Sequence, residues 1–306
     1  MTAYTVIPDS DINPDKPIKS ETAYALRDNP SAIAEGDPTA PSINPAALLI
    51  GGKGGDGIFD NATPAITASG YYEFTSMSLS AARGLPAATI IRLAGNSTLS
   101  AAITLANRAS GGTTVEQIQN TRVEREYLAA AMGAHFGFDA STSVGGASIG
   151  TEVNSTAGHP LPVNSVSKYW ATRKPILGGN GYYSPSTQYA LGGGSLILII
   201  EGDLDCTGGT INAVGQALNA GGGGGSIIVI ATGSITSGTF NANGGNGSST
   251  GGGGGGLVQL VAASFIGTQT MSAAAGSSGG GGTPQAGHTN ATTLTRDQIR
   301  TLLQRM

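Results

Sequence analysis

Gly194-Ser195-Leu196-Ile197-Leu198-Ile199-Ile200 returns 31 residues later as Gly225-Ser226-Ile227-Ile228-Val229-Ile230-Ala231. After another 31 it returns as Gly256-Leu257-Val258-Gln259-Leu260-Val261-Ala262. Leu204 becomes Ile235 and then Ile266 at the same spacing. A second match accompanies the first: Thr210-Ile-Asn-Ala213, Thr239-Phe-Asn-Ala242 and Thr270-Met-Ser-Ala273. Glycine runs fall at one phase of each copy, at 221–225, 251–256 and 279–282. Recurrence of this length means stacked units, each too small to bury its own apolar face. Each copy reads as strand, turn, strand and glycine-rich return. Equivalent strands then lie about 4.8 Å apart in parallel sheets. Leu196, Ile227 and Val258 form one ladder, and Ile211, Phe240 and Met271 another.

The first strands are apolar at odd and even positions alike, so both of their faces need cover. The glycine runs are candidates for that cover, and two conformations are open to them. One is a loop; the other is an extended left-handed helix of polyproline-II type, bare enough to pack side by side. The expected fold class is mainly β: a glycine-rich β-solenoid or β-sandwich of 31-residue repeats (191–282) with polyglycine-II-like segments.

Working outward, Ala88-Thr-Ile-Ile-Arg-Leu-Ala-Gly95-Asn-Ser-Thr-Leu99 reads as a degenerate copy of the stretch that begins at Ser226. Residues 47–105 are then a β region with a first rung. Tyr72, Phe74, Met77 and Leu79 alternate with polar neighbours there, as do Leu99, Ala101, Ile103 and Leu105. Residues 106–190 become an insertion between this rung and the next. The capping-box pattern Thr114-Val-Glu-Gln117 predicts a helix over about 114–132, stopped by Gly133. The insertion holds eight of the 16 aromatic residues and 11 of the 34 charged ones. Residues 283–306 read as a linker and a short helix. Thr295-Arg-Asp-Gln298 is a second capping box, and Ile299, Leu302, Leu303 and Met306 make an apolar stripe expected to dock on another subunit.

Residues 1–46 carry seven prolines and no apolar period. They read as an extended arm with one short turn of helix near 21–27. An arm with no core of its own needs a partner chain to order it.

The 306 residues include 50 glycines, and charged residues make up 11% with a formal net charge of −4. Disorder driven by charge is excluded, and so is collagen, because no Gly-X-Y period exists. Without a basic cluster, nucleic acid is not an expected partner. One cysteine, Cys206, excludes an intrachain disulfide and a multi-cysteine metal site. Neither a signal peptide nor a membrane-spanning run is expected.

The stretch Ala23-Tyr-Ala-Leu-Arg-Asp-Asn-Pro30-Ser-Ala-Ile-Ala-Glu-Gly36-Asp-Pro-Thr-Ala-Pro41 resembles a short segment that introduces otherwise diverse virion proteins of tailed phages. The repeats resemble the glycine-rich tip adhesins and tail-fibre proteins of such phages. These resemblances imply a particle protein, assembled in the host bacterial cytoplasm. Tyr24, Leu26, Arg27, Asn29, Pro30 and Ile33 would carry its attachment. Adhesins of this type have long loops between their glycine motifs. Here those loops are short, which moves receptor contact to the insertion.

Glu201-x-Asp203-x-Asp205 places three carboxylates at period two, a pattern able to do acid–base work or bind calcium. In the next copy the same positions are Thr232, Ser234 and Thr236, which reads as a solvated outward face. His135, His159 and His288 have no ligand spacing, and Gly51-Gly-Lys53 lacks the phosphate-loop spacing. Neither an enzyme nor a cofactor is expected. Tyr169, Trp170, Tyr182, Tyr183 and Tyr189 are the candidate contact residues, because flat rings stack on sugars and anchor protein interfaces. The expected role is a structural and binding part of a phage tail or tail fibre. Its partners would be other virion proteins, further copies of itself (a trimer among the arrangements) and a host surface glycan or protein. A head fibre or decoration protein and a tail-borne glycan depolymerase are the alternatives.

Overall fold

Six-residue runs of leucine, isoleucine and valine, bounded by glycine, favour strands buried on both faces. The computed structural model describes residues 5–7, 20–35, 54–107, 135–136, 176–177, 181–183, 188–280 and 284–305. It places those runs at the centre of a six-stranded parallel sheet, here sheet one. Its strands, in spatial order, are Gly70–Phe74, Ala88–Leu93, Ser195–Ile200, Ser226–Ala231, Leu257–Ala262 and His288–Thr293. The 31-residue spacing is the ladder register: Leu198 pairs with Val229, and Val229 with Leu260. Ala88–Leu93 pairs directly with Ser195–Ile200, so the ladder continues across the insertion, as expected.

A second parallel sheet has nine strands. In the early layers its strand comes in two pieces, Ser97–Leu99 with Ala102–Leu105 and Leu204–Asp205 with Thr210–Asn212. Later it is continuous, as Ser234–Asn241 and Ser264–Ser272. Leu204 pairs with Ile235 at an offset of 31 residues, but Thr210 pairs with Thr239 at 29. The two extra residues sit in the turn that divides the earlier strand, where Gly208 has φ +77°. That backbone conformation costs a side chain-bearing residue strain that glycine avoids.

One expected ladder is corrected here. Ile235 pairs with Phe265, and Ile266 pairs with Thr236. Phe265 packs against the core, whereas Ile266 is 54% exposed. A register shift between Thr236 and Gly238 accommodates the slip. Burial of the aromatic ring outweighs the simple 31-residue count, because a one-residue shift exchanges the faces of a strand.

The main core lies between the sheets. Leu196, Leu198, Ile200, Ile227, Val229, Val258 and Leu260 face Leu204, Ile211, Ile235 and Phe240, all fully buried. Cys206 is in this core, and burial pushes its thiol up to about 12. The opposite face of sheet one is covered differently from expectation. Ile197, Ile199, Ile228, Ile230, Leu257 and Val261 cluster with Ile299 and Leu303 of the C-terminal helix. That helix, and not the glycine runs, supplies the cover.

The glycine-rich returns bond to one another instead. Gly245 N donates to Gly222 O, Gly253 N to Gly245 O and Gly276 N to Gly253 O, each at 2.8 Å. None of these glycines has positive φ among the described residues. Their need for glycine is close approach: a Cβ on Gly253 would strike the Gly222 carbonyl.

Layers before the insertion are shorter, since Leu79 pairs with Leu99 at an offset of 20 residues. They pass from sheet two to sheet one without a glycine return. Residues 288–293 were expected to be linker and are a strand, paired with Leu257–Ala262 at the same offset of 31.

The first 49 residues form a unit of their own. The short turn expected near 21–27 is a 16-residue helix, α1 (Ser20–Glu35). It runs through Pro30, whose missing N–H leaves one helical bond unmade. The rest of the arm lies outside the described residues, apart from residues 5–7. Asn29 holds the Thr5 backbone at both ends, accepting from its N at 2.9 Å and donating to its O at 2.9 Å.

Candidate functional site

The three carboxylates separate at the corner between the sheets. Gly202, with φ +136°, turns the chain between Ile200 and Leu204, so the period-two geometry of a strand does not apply. Glu201 projects to the helix-covered side and pairs with Arg300 at 2.6 Å. Asp203 accepts hydrogen bonds from the Ser234 backbone N at 2.6 Å and from its hydroxyl at 2.9 Å. These bonds hold its carboxyl below the usual carboxylate range. Asp205 accepts from Thr207 N at 2.9 Å, and its pKa is also lowered. Each carboxylate thus has a fixed structural partner, and they share no common target. The outward reading of the next copy is corrected as well. Thr232 is fully buried and accepts from Gly202 N at 2.9 Å.

Asp203 belongs to a series of side-chain oxygens that accept the backbone N–H of the next layer. Ser237 accepts from Thr268, Asn243 from Ala274 and Asn246 from Ser277, each pair 31 residues apart. The sequence signal for this device was a polar residue recurring at the strand ends. Among the described residues no group of three or more His, Cys, Asp or Glu is placed to hold a metal ion.

The insertion enters and leaves at one place. Asn107 Nδ2 donates to Val214 O at 2.9 Å and to Gly192 O at 3.4 Å. Gln216 holds the returning chain twice, with its N donating to Leu191 O at 2.8 Å and its Oε1 accepting from Leu191 N at 3.0 Å. Gly193 N bonds Gly223 O, as one glycine return bonds the next. The insertion therefore occupies the position that a glycine return takes in later layers. Of the candidate contact residues, Tyr182 and Tyr189 face each other across an antiparallel pair, Gly181–Tyr183 with Gln188–Ala190. Tyr183 pairs with Gln188. Tyr169, Trp170 and the helix expected at 114–132 lie outside the described residues.

On α1, Thr22 and Ala25 are buried while Tyr24 and Leu26 are 58% and 57% exposed. Arg27 sits 5.1 Å above the Tyr24 ring and pairs with Asp28 at 2.7 Å. These four side chains present an open aromatic and charged surface. Asn29 is spent on Thr5. Pro30 and Ile33 lie within α1, their side chains outside the described set.

The capping box at Thr295 is formed on both sides. Thr295 N donates to Gln298 Oε1 at 2.9 Å, and Gln298 N to Thr295 Oγ1 at 3.2 Å. It opens α2 (Arg296–Arg305). The stripe expected to meet another subunit meets the chain's own sheet: Ile299 and Leu303 are buried and Leu302 is half-buried there. The uncovered apolar face of sheet one is the nearer partner. Met306 is outside the described residues.

No family model, curated protein or solved structure matches the chain. Among the described residues no helix is long and apolar enough to cross a membrane.

Proposed function

We propose that this chain is a structural and binding component of a tailed-phage particle, in the tail or tail-fibre apparatus. In this reading residues 1–46 attach it to other virion proteins, and the insertion contacts a neighbouring subunit or a host surface glycan or protein. The body is a glycine-rich β-solenoid whose returns pack as polyglycine-II-like segments, and it works in an oligomer without catalysis. One observation carries the proposal. An aromatic-rich insertion is held at a single point, Asn107 and Leu191, on a body with no Asp, Glu, Lys or Arg between Cys206 and Arg296. Such a body has few groups for charged chemistry and a continuous hydrogen-bonded frame, which suits a rigid carrier.

The exposed Tyr24, Leu26 and Arg27 supply the attachment surface. Replacing Tyr182 and Tyr183 by alanine tests the insertion. Particles that assemble but fail to adsorb support host contact, and missing or unstable particles support a subunit contact. Normal assembly with normal adsorption overturns both.

A further inference from the structure

Helix α2 follows the last strand of sheet one and crosses the sheet toward earlier layers. Leu294 N bonds Ala262 O at 3.0 Å, Arg296 Nε reaches Thr232 O at 3.4 Å, and Arg300 pairs with Glu201 at 2.6 Å. These three acceptors belong to three successive layers, so the helix ties together strands that are otherwise joined only through their ladders.

Beneath it the apolar face has one break. Gln259 stands between Leu257 and Val261, in register with Ile228 and, through that residue, with Ile197. It is fully buried, and neither Nε2 nor Oε1 has a partner among the described residues. A primary amide taken from water without replacement bonds is a penalty on the covered state, and opening the face to water relieves it. The fold does not require the amide, because isoleucine fills the same position in the two preceding layers. At the helix's far polar contact, Glu201 Oε2 and Arg300 Nε are also buried without partners.

We infer that α2 is a releasable strap, which opens from sheet one while the layers beneath stay stacked, and that Gln259 sets how readily it opens. The covered state holds the layers against unravelling. The open state presents the isoleucine-rich face of Ile197, Ile199, Ile228 and Ile230. Segments that open locally lose exchange protection before the core does.

Hydrogen–deuterium exchange of the full chain under native conditions tests this. Amides of 299–305 should exchange at least 100-fold faster than those of Ser226–Ala231. Gln259→Ile should slow the helix amides about tenfold or more, with the strand amides still the slower set. Glu201→Gln, which removes the charge facing Arg300, should speed the helix amides without changing the strand. Helix and strand amides that exchange together would show that only global unfolding releases α2 and would overturn the inference. Unchanged helix exchange in both variants would overturn it equally.

Discussion

Val229 shows how one side chain reports the register. It pairs with Leu198 on one side and Leu260 on the other, and is fully buried between the sheets. Val229→Asp would place a carboxylate where no cation or donor waits. The expected cost is about 3–5 kcal/mol, read as a fall in the denaturant midpoint. A change under about 1 kcal/mol would mean that this face meets water, since surface substitutions rarely cost more. Asp203 carries the opposite message, because its charge is used. Bonds from Ser234 lower its pKa in the folded state. A depressed carboxylate contributes stability above its unfolded pKa and loses it as pH falls through the folded value. The melting temperature should therefore drop as pH is lowered from about 4 toward 2. Asp203→Asn keeps an acceptor oxygen and removes the titration, so its acid limb should be flatter. Identical acid limbs would assign the acid sensitivity to other carboxylates such as Asp60 and Asp205, which are lowered too.

Among the elements, the glycine returns make the sharpest demand on sequence. A Cβ on Gly253 meets the backbone of Gly222, a neighbour that cannot rotate away. Gly253→Ala is expected to cost about 1–3 kcal/mol, the usual range for overpacking. Gly84→Ala is the control, because open space surrounds Gly84 within a strand. It should be neutral or slightly stabilising in the same melt. Equal effects at both positions would mean that the returns are loosely packed. Helix α1 teaches a different point. Proline density predicted an extended arm, yet the helix forms around Ala23 to Leu26 and tolerates Pro30. Composition over a window outweighs a single breaker when the flanking residues favour helix.

At the scale of the molecule, the 31-residue layers were legible because each copy repeats the same burial demand at the same phase. The inward ladder, the position of the insertion and the capping box on α2 follow from that pattern. Other parts were not legible, for reasons that can be named. The layer from Gly70 to Leu85 has a 20-residue offset and no glycine return, so it shares no period with the later copies. His288–Thr293 is a strand because Leu257–Ala262 offers it a ladder, and its own residues, His-Thr-Asn-Ala-Thr-Thr, have no apolar alternation. The target of α2 was hidden because an amphipathic stripe shows that a helix docks and not on what. The carboxylates looked aligned until Gly202 turned the chain between them. The candidate contact residues on the insertion were found by ring chemistry, and only the Tyr182–Tyr189 pairing has a described backbone.

The two ends of the insertion meet at Asn107, Gly192 and Gln216 while Ala88–Leu93 pairs with Ser195–Ile200 behind them. The body thus has a socket. Whatever chain leaves at residue 107 and comes back near 191 is asked only to close a gap of one hydrogen bond. A cassette of another length or fold could be spliced there with no core residue renegotiated, and a short glycine return would cap the socket as later layers do. Specificity could change by exchange of one segment while the carrier stays the same.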